Sequence, residues 1–95
     1  MIIRSQDKKK IFDIEGTTIK INEKNELIGY GNNQPADECE LLGGYSTEEK
    51  AIKVLDMIED AYNKCFAFIM GNDGYYHEVR ESKVFKMPQD SEVKV

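Results

Sequence analysis

Few residues in this chain of 95 residues have the type and spacing that catalysis or metal binding requires. The one histidine, His77, and the two cysteines, Cys39 and Cys65, show neither CxxC nor metal-ligand spacing. Nucleophilic catalysis also needs a Ser or Cys beside a positioned base. The seven glycines form neither a dinucleotide-binding nor a phosphate-binding loop. We therefore predict a protein that is not an enzyme, holds no metal or cofactor and buries two free thiols.

A first cluster with binding chemistry lies near the N-terminus. On a β-strand Arg4 and Gln6 point the same way, and with Lys8 they offer a guanidinium fork, an amide and an ammonium group to an anion. Residues 1–24 hold six Lys and Arg against four Asp and Glu, which leaves seven against fourteen for the rest, since the totals are 13 and 18. The alternative is an exposed edge strand kept soluble by charge.

A second cluster places aromatic faces beside cationic side chains, a composition suited to stacking on a base and holding a phosphate. The alternative is a hairpin that buries both tyrosines by half. The candidate residues of this cluster are Tyr75, Tyr76, His77 and Arg80.

Short strands separated by polar turns fill the first half of the chain. Connections as short as residues 22–25 force neighbouring strands to run antiparallel, because a parallel return needs about a dozen residues. Within the second half of this stretch, Gly29-Tyr30-Gly31 indicates the change from strand to loop. The predicted strands are 1–5, 11–14, 17–21, 27–30 and 38–43, with a last short strand at 84–87.

One amphipathic helix follows these strands. Ser46-Thr47-Glu48-Glu49 predicts a capping box in which the Ser46 hydroxyl and the Glu49 carboxylate each accept from the other residue's N–H. After it, apolar residues recur at intervals of three and four, which predicts a core-facing stripe. The stripe is Ala51, Val54, Leu55, Ile58, Ala61, Tyr62 and Cys65.

The stretch 65–70 is apolar on every side, so it either continues the helix to Gly71 or forms a strand that pairs with 75–79. We favour the strand, because a domain of this size can hardly cover such a helix. The apolar surplus of Phe66, Phe68, Ile69 and Met70 predicts a homo-oligomer, a dimer above all. Residues 89–95 are predicted to form a polar tail.

The bulk properties predict one α+β domain over residues 1–95, an antiparallel meander with one long amphipathic helix packed on it. The net charge of −5 argues against a protein that binds duplex nucleic acid. No apolar run approaches the ~20 residues of a membrane span, and there is no signal-peptide pattern. We expect a cytoplasmic protein.

Three stretches, MIIRSQDKK at 1–9, YSTEEKAIKVLDMI at 45–58 and VFKMPQDSEV at 84–93, resemble a family of small proteins of Firmicutes genomes and their phages and prophages. The resemblance implies an anti-defence protein that acts by occupancy in the bacterial host cytoplasm. On this basis we expect it to sequester a small signalling nucleotide. Two alternatives stay open: an inhibitor or adaptor that binds a host defence protein, and an oligomeric structural or regulatory module.

Overall fold

Three sheets and one helix make up the chain in a computed structural model that describes residues 1–35, 38–80 and 83–95, with side chains described for all of these except 66–69 and 78–80. The strands and the α-helix are followed by a short 3-10 helix. The elements are β1 (Ile2–Arg4), β2 (Ile11–Asp13), β3 (Thr17–Ile21), β4 (Glu26–Gly31), β5 (Glu40–Gly44), α1 (Glu48–Asn63), β6 (Phe66–Met70), β7 (Tyr76–Arg80), β8 (Val84–Lys86) and the 3-10 helix (Asp90–Glu92).

The strand order confirms the α+β class and the antiparallel meander. Sheet B is that meander, ordered β3-β4-β5, and α1 packs against its β3 and β4. Sheet A is ordered β2-β1-β8, with β1 antiparallel to β2 and parallel to β8. β6 and β7 form a separate antiparallel hairpin. The parallel pair joins the first strand to the last. Short connections predict the direction of strands that follow one another in the chain, so they could not predict this pair.

The polar turn predicted at 22–25 reverses the chain between β3 and β4. The Asn22 side-chain oxygen accepts from the backbone N–H groups of Lys24 and Glu26, at 2.9 Å and 3.0 Å. Asn25 adopts a left-handed φ of 59°, which Asn tolerates better than most residues do. β3 and β4 therefore pair in register, with Ile21 opposite Leu27.

The helix begins one residue later than predicted, and Ser46 is not its cap. Thr47 has extended backbone angles, and its hydroxyl accepts from the Lys50 N–H at 3.1 Å. The Ser46 N–H instead donates to the Asp90 carboxylate at 2.8 Å. Because this contact comes from a segment 44 residues further along the chain, local spacing alone gives the wrong residue.

The predicted core-facing stripe of the helix is correct. Ala51, Val54 and Ile58 are buried, and the rest of the stripe is half-buried or buried. They meet the inward residues of both large sheets, since sheet A contributes Ile3 and sheet B contributes Leu27. One core is thus shared by the helix, sheet A and sheet B.

The apolar stretch after the helix is a strand, as favoured. α1 ends at Asn63, and Phe66–Met70 pairs with Tyr76–Arg80 from Phe66 opposite Arg80 to Met70 opposite Tyr76. The apolar surplus proposed for an interface falls mostly on residues 66–69, whose side chains lie outside those described. Met70 is described and is 52% exposed.

The C-terminal residues 89–95, predicted as a polar tail, contain the 3-10 helix and a core residue. Val93 is buried and belongs to the core cluster, while Asp90 contacts the start of α1. Gln89 and Asp90, the first two polar residues of this segment, hydrogen-bond to earlier parts of the chain.

The prediction of two buried thiols is half wrong. Cys65 is buried, with its Sγ 3.4 Å from the Ala61 carbonyl oxygen, but Cys39 is exposed. The difference arises because β5 begins at Glu40 and leaves Cys39 in the preceding loop.

Candidate functional site

Gln6, a predicted ligand-binding residue, lies where sheets A and B meet. Its side-chain oxygen accepts from the Gly44 N–H at 2.9 Å, and its side-chain nitrogen donates to the carbonyls of Gly44 at 3.0 Å and Pro88 at 3.2 Å. Its backbone N–H donates to the Leu42 carbonyl at 2.8 Å. The amide thus pairs with β5 as a neighbouring strand would, and both of its N–H donors are used inside the fold.

Further contacts fix the C-terminal segment beside Gln6. The Tyr45 hydroxyl donates to the Pro88 carbonyl at 2.9 Å, and the Gln89 side chain donates to the Gln6 carbonyl at 2.8 Å. Burial raises the pKa of Tyr45 to about 12, and nearby Asp90 adds to the rise. Hereafter the C-terminal clamp means the hydrogen-bonded group formed by Gln6, Gly44, Tyr45, Ser46, Lys50, Pro88, Gln89 and Asp90.

Asp90 ties this clamp to the start of the helix. Besides accepting from Ser46, it receives the Lys50 ammonium at its backbone carbonyl, at 3.0 Å, and at its side chain, at 3.4 Å. The Ser46 N–H, with Lys50 adding to the effect, lowers the pKa of the Asp90 carboxyl below its ordinary value. The negative charge therefore stays at the helix N-terminus, where the helix dipole favours it.

Arg4 and Lys8 lie together, at the turn between β1 and β2. The Arg4 Nε and Nη2 donate to the Lys8 carbonyl at 3.3 Å and 3.1 Å. Arg4 is also the register partner of Lys86 on β8, so both cations lie on the outer face of sheet A. The side chain of Gln6 faces β5 instead, so the predicted cluster is split.

The tyrosines lie at the end of the β6–β7 hairpin and face solvent. Tyr75 is 72% exposed and Tyr76 is 68% exposed, which makes the interpretation of a half-buried pair wrong. His77 Nε2 is 3.1 Å from the Asp73 carboxylate, and the pKa of that carboxyl is lowered by the Tyr75 N–H and by His77. We call residues 70–77 the hairpin tip.

The two predicted clusters are not joined by a direct bond between their described residues. Among the described residues, no hydrogen bond or ion pair joins Arg4, Gln6 or Lys8 to Tyr75, Tyr76 or His77. The side chain of Arg80 lies outside the described residues. Arg4 lies on sheet A, whereas Tyr76 and His77 lie on β7 of the separate hairpin.

A groove of about 360 Å³, which the sequence did not predict, lies between β2 and the inner face of sheet B. Gly29 and Gly31 line it from within β4, which ends at Gly31, one residue later than predicted. Two glycines at alternate positions, facing the same way as Leu27, were the available signal. The rim carries carboxylates, so the groove does not suit a phosphate; these are Asp13, Glu38 and Glu40.

Metal-ligating side chains do not cluster within the described residues. The part of the chain that the structure describes contains no group of three or more His, Cys, Asp and Glu that could hold a metal ion. Over the same residues, no helix combines the length and apolar character needed to cross a membrane. Comparisons with family models, with curated proteins and with solved structures give no match.

Proposed function

We propose that this chain is a non-catalytic binding protein whose hairpin tip contacts a protein partner. The observation that carries the proposal is the exposure of Tyr75 and Tyr76 next to Met70, at the end of a hairpin that pairs with no other described strand. Tyrosine is enriched among the residues that dominate the energy of protein interfaces. A rigid ring with a polar end binds well while it loses little conformational entropy.

The charge at the tip favours a protein over a nucleotide. Asp73, with its lowered pKa, holds a negative charge beside Tyr75, and this charge repels phosphate. The cations that suit phosphate, Arg4 and Lys86, lie on the outer face of sheet A. A partner surface that accepts two aromatic rings and donates hydrogen bonds to a carboxylate fits the tip better.

The test is photo-crosslinking from the tip. A photoreactive phenylalanine analogue replaces Tyr76 in cells of the organism that encodes the chain, and the matched control carries it at Glu59, an exposed position of the helix. We expect one protein to crosslink at position 76 and not at 59. Once purified, that protein should bind Tyr75→Ser/Tyr76→Ser at least about tenfold more weakly than the parent. Equal crosslinking at both positions, or unchanged affinity, contradicts the proposal.

Sequestration of a signalling nucleotide is the second candidate, and the pair of cations Arg4 and Lys86 favours it. In this case Arg4→Ala should weaken binding about ten- to a hundredfold, as the loss of a charge-assisted contact does. Thermal shifts against a panel of cyclic and linear nucleotides test it first, and calorimetry on Arg4→Ala follows. The absence of a shift with every nucleotide would remove this candidate and leave the protein partner.

We also propose that the chain self-associates. A two-stranded hairpin is marginally stable without a neighbour, and a second copy of the chain would supply one. We expect light scattering at micromolar concentration to give a multiple of the 10.9 kDa chain mass. A mass of one chain would count against self-association and leave the tip free for a different protein.

A further inference from the structure

The outer edge of β8 has backbone groups that no described residue binds. On its other side the strand is fully paired, since Ile2 N–H donates to the Lys83 carbonyl and Met87 N–H donates to the Arg4 carbonyl. In a parallel ladder, alternate residues of a strand face the same neighbour. The N–H and C=O groups of Val84 and Lys86 therefore point away from β1, toward open space at the edge of sheet A.

An apolar groove of about 310 Å³ runs beside this edge, between β8 and the second half of α1. Phe85 and Ala61 line it, together with Met57, which is 37% exposed, and the ion pair of Asp60 and Lys64 also borders it. Phe85 belongs to the inner face of sheet A, because it lies in register with buried Ile3. A side chain on the same face of an added strand would thus enter the groove.

The outer face beside the edge is positively charged. Lys86 and its register partner Arg4 both project there, and Lys86 lies two residues after Val84, the other edge position. A strand added to β8 would place every second side chain on this face, close to Lys86. Acidic residues at those positions would complement the charge, whereas a second copy of β8 would bring Val84 and another Lys86.

We infer that the edge of β8 binds an extended peptide segment in which apolar residues alternate with acidic ones. The backbone of the segment pairs with Val84 and Lys86, its apolar residue enters the groove between Phe85 and α1, and its acidic residues face Lys86 and Arg4. Strand addition of this kind takes affinity from main-chain hydrogen bonds and specificity from alternate side chains. The surface uses no residue of the hairpin tip and goes beyond the function proposed above.

The test uses synthetic heptapeptides as probes, with blocked ends and a fluorescent label. One alternates Glu with Val or Ile, and its control carries Lys in place of each Glu. On the intact parent chain, fluorescence anisotropy should show the acidic peptide binding at least about tenfold more tightly than the basic one. Failure of the acidic peptide to bind at millimolar concentration, or equal binding of the two, overturns the inference.

Three variants locate the site. Val84→Pro removes the outward N–H and leaves the bonds to β1, and we expect an affinity loss of about tenfold, while Val84→Thr keeps the N–H and should stay within about twofold. Ala61→Phe fills the groove and should also weaken binding. Lys86→Glu should reverse the preference, so that the basic peptide binds more tightly than the acidic one. Circular dichroism establishes that each variant is folded before its affinity is compared.

The outcomes separate this inference from its competitors. Equal affinities for Val84→Pro and Val84→Thr overturn strand addition. A change from dimer to monomer in Val84→Pro, with no peptide bound to the parent, assigns the edge to a second copy and also overturns it. Because Tyr75→Ser/Tyr76→Ser should leave the peptide affinity unchanged, failure here and failure at the hairpin tip can be told apart.

Discussion

The C-terminal clamp and the hairpin tip use their polar and aromatic groups in opposite ways. In the clamp, the hydroxyl of Tyr45 is buried and bonded to Pro88, and both N–H groups of the Gln6 amide have partners. At the tip, Tyr75 and Tyr76 expose most of their surface. Bonded and buried groups hold a fold together, whereas exposed aromatic groups add little to it and are available for binding. The predictions below test this division.

The largest loss of stability should come from the shared core. Ile58 is 4% exposed, so Ile58→Ala should lower the free energy of unfolding by about 2–5 kcal/mol, as buried aliphatic truncations do. Leu55, also in the predicted stripe, is only half-buried and should lose less. Urea denaturation measures both, with Ile52→Ala on the exposed face as the control. A loss at Ile52 equal to that at Ile58 would contradict the assigned face.

The second-largest loss of stability should come from Gln6, a residue of the C-terminal clamp. Gln6→Ala leaves the Gly44 N–H and C=O without their side-chain partner, and we expect a loss of about 1–3 kcal/mol. Gln34 is the matched control, since its side chain also accepts from a backbone N–H, that of Gly31, but at an exposed site. If both variants lose the same amount, Gln6 does not join the two sheets.

Removal of the helix cap should lower the stability less than Gln6→Ala does. Thr47→Ala should cost about 1 kcal/mol, the usual loss for an N-cap side chain. Ser46→Ala should cost little, because Ser46 bonds to Asp90 through its backbone N–H, which alanine retains. A larger loss for Ser46→Ala than for Thr47→Ala in urea denaturation would show that Ser46 is the cap, as the sequence predicted.

A pH-dependent effect should be found at Asp90. Its folded pKa is lowered, so its ionised form contributes stability above the ordinary Asp pKa, and the contribution is lost as pH falls through the folded pKa. Asp90→Asn should therefore be less stable than the parent at pH 7, and the difference should shrink in acid. Parallel unfolding curves across the acid range check this. A constant difference at every pH would show that the charge of Asp90 plays no part.

Local patterns predicted the helix face, the meander and the choice of a strand for residues 66–70. In each case the signal and the structure it predicts lie within a few residues, as in the Asn22 turn. Contacts between distant parts of the chain could not be predicted this way. Asp90 accepts from the N–H of Ser46, and the cap is Thr47 instead. Gln6 contacts Gly44, which lies 38 positions further along the chain.

The candidate site was predicted only in part. The composition of residues 75–77 indicated an aromatic binding surface, and their exposure agrees with that use. Composition could not show whether Arg4 would join them, because that depends on how separate sheets are arranged. The inter-sheet groove went unpredicted since Gly29 and Gly31 also fit the pattern of a turn.

The most direct test of the account measures the free energy of unfolding of Tyr75→Ser/Tyr76→Ser by urea denaturation. If the hairpin tip is a binding surface and not part of the core, the double variant should stay within about 0.5 kcal/mol per substitution of the parent, as exposed positions do. Gln6→Ala, measured beside it, should lose more. A loss above about 3 kcal/mol in the tyrosine variant would mean that the rings support the fold, and would contradict the account.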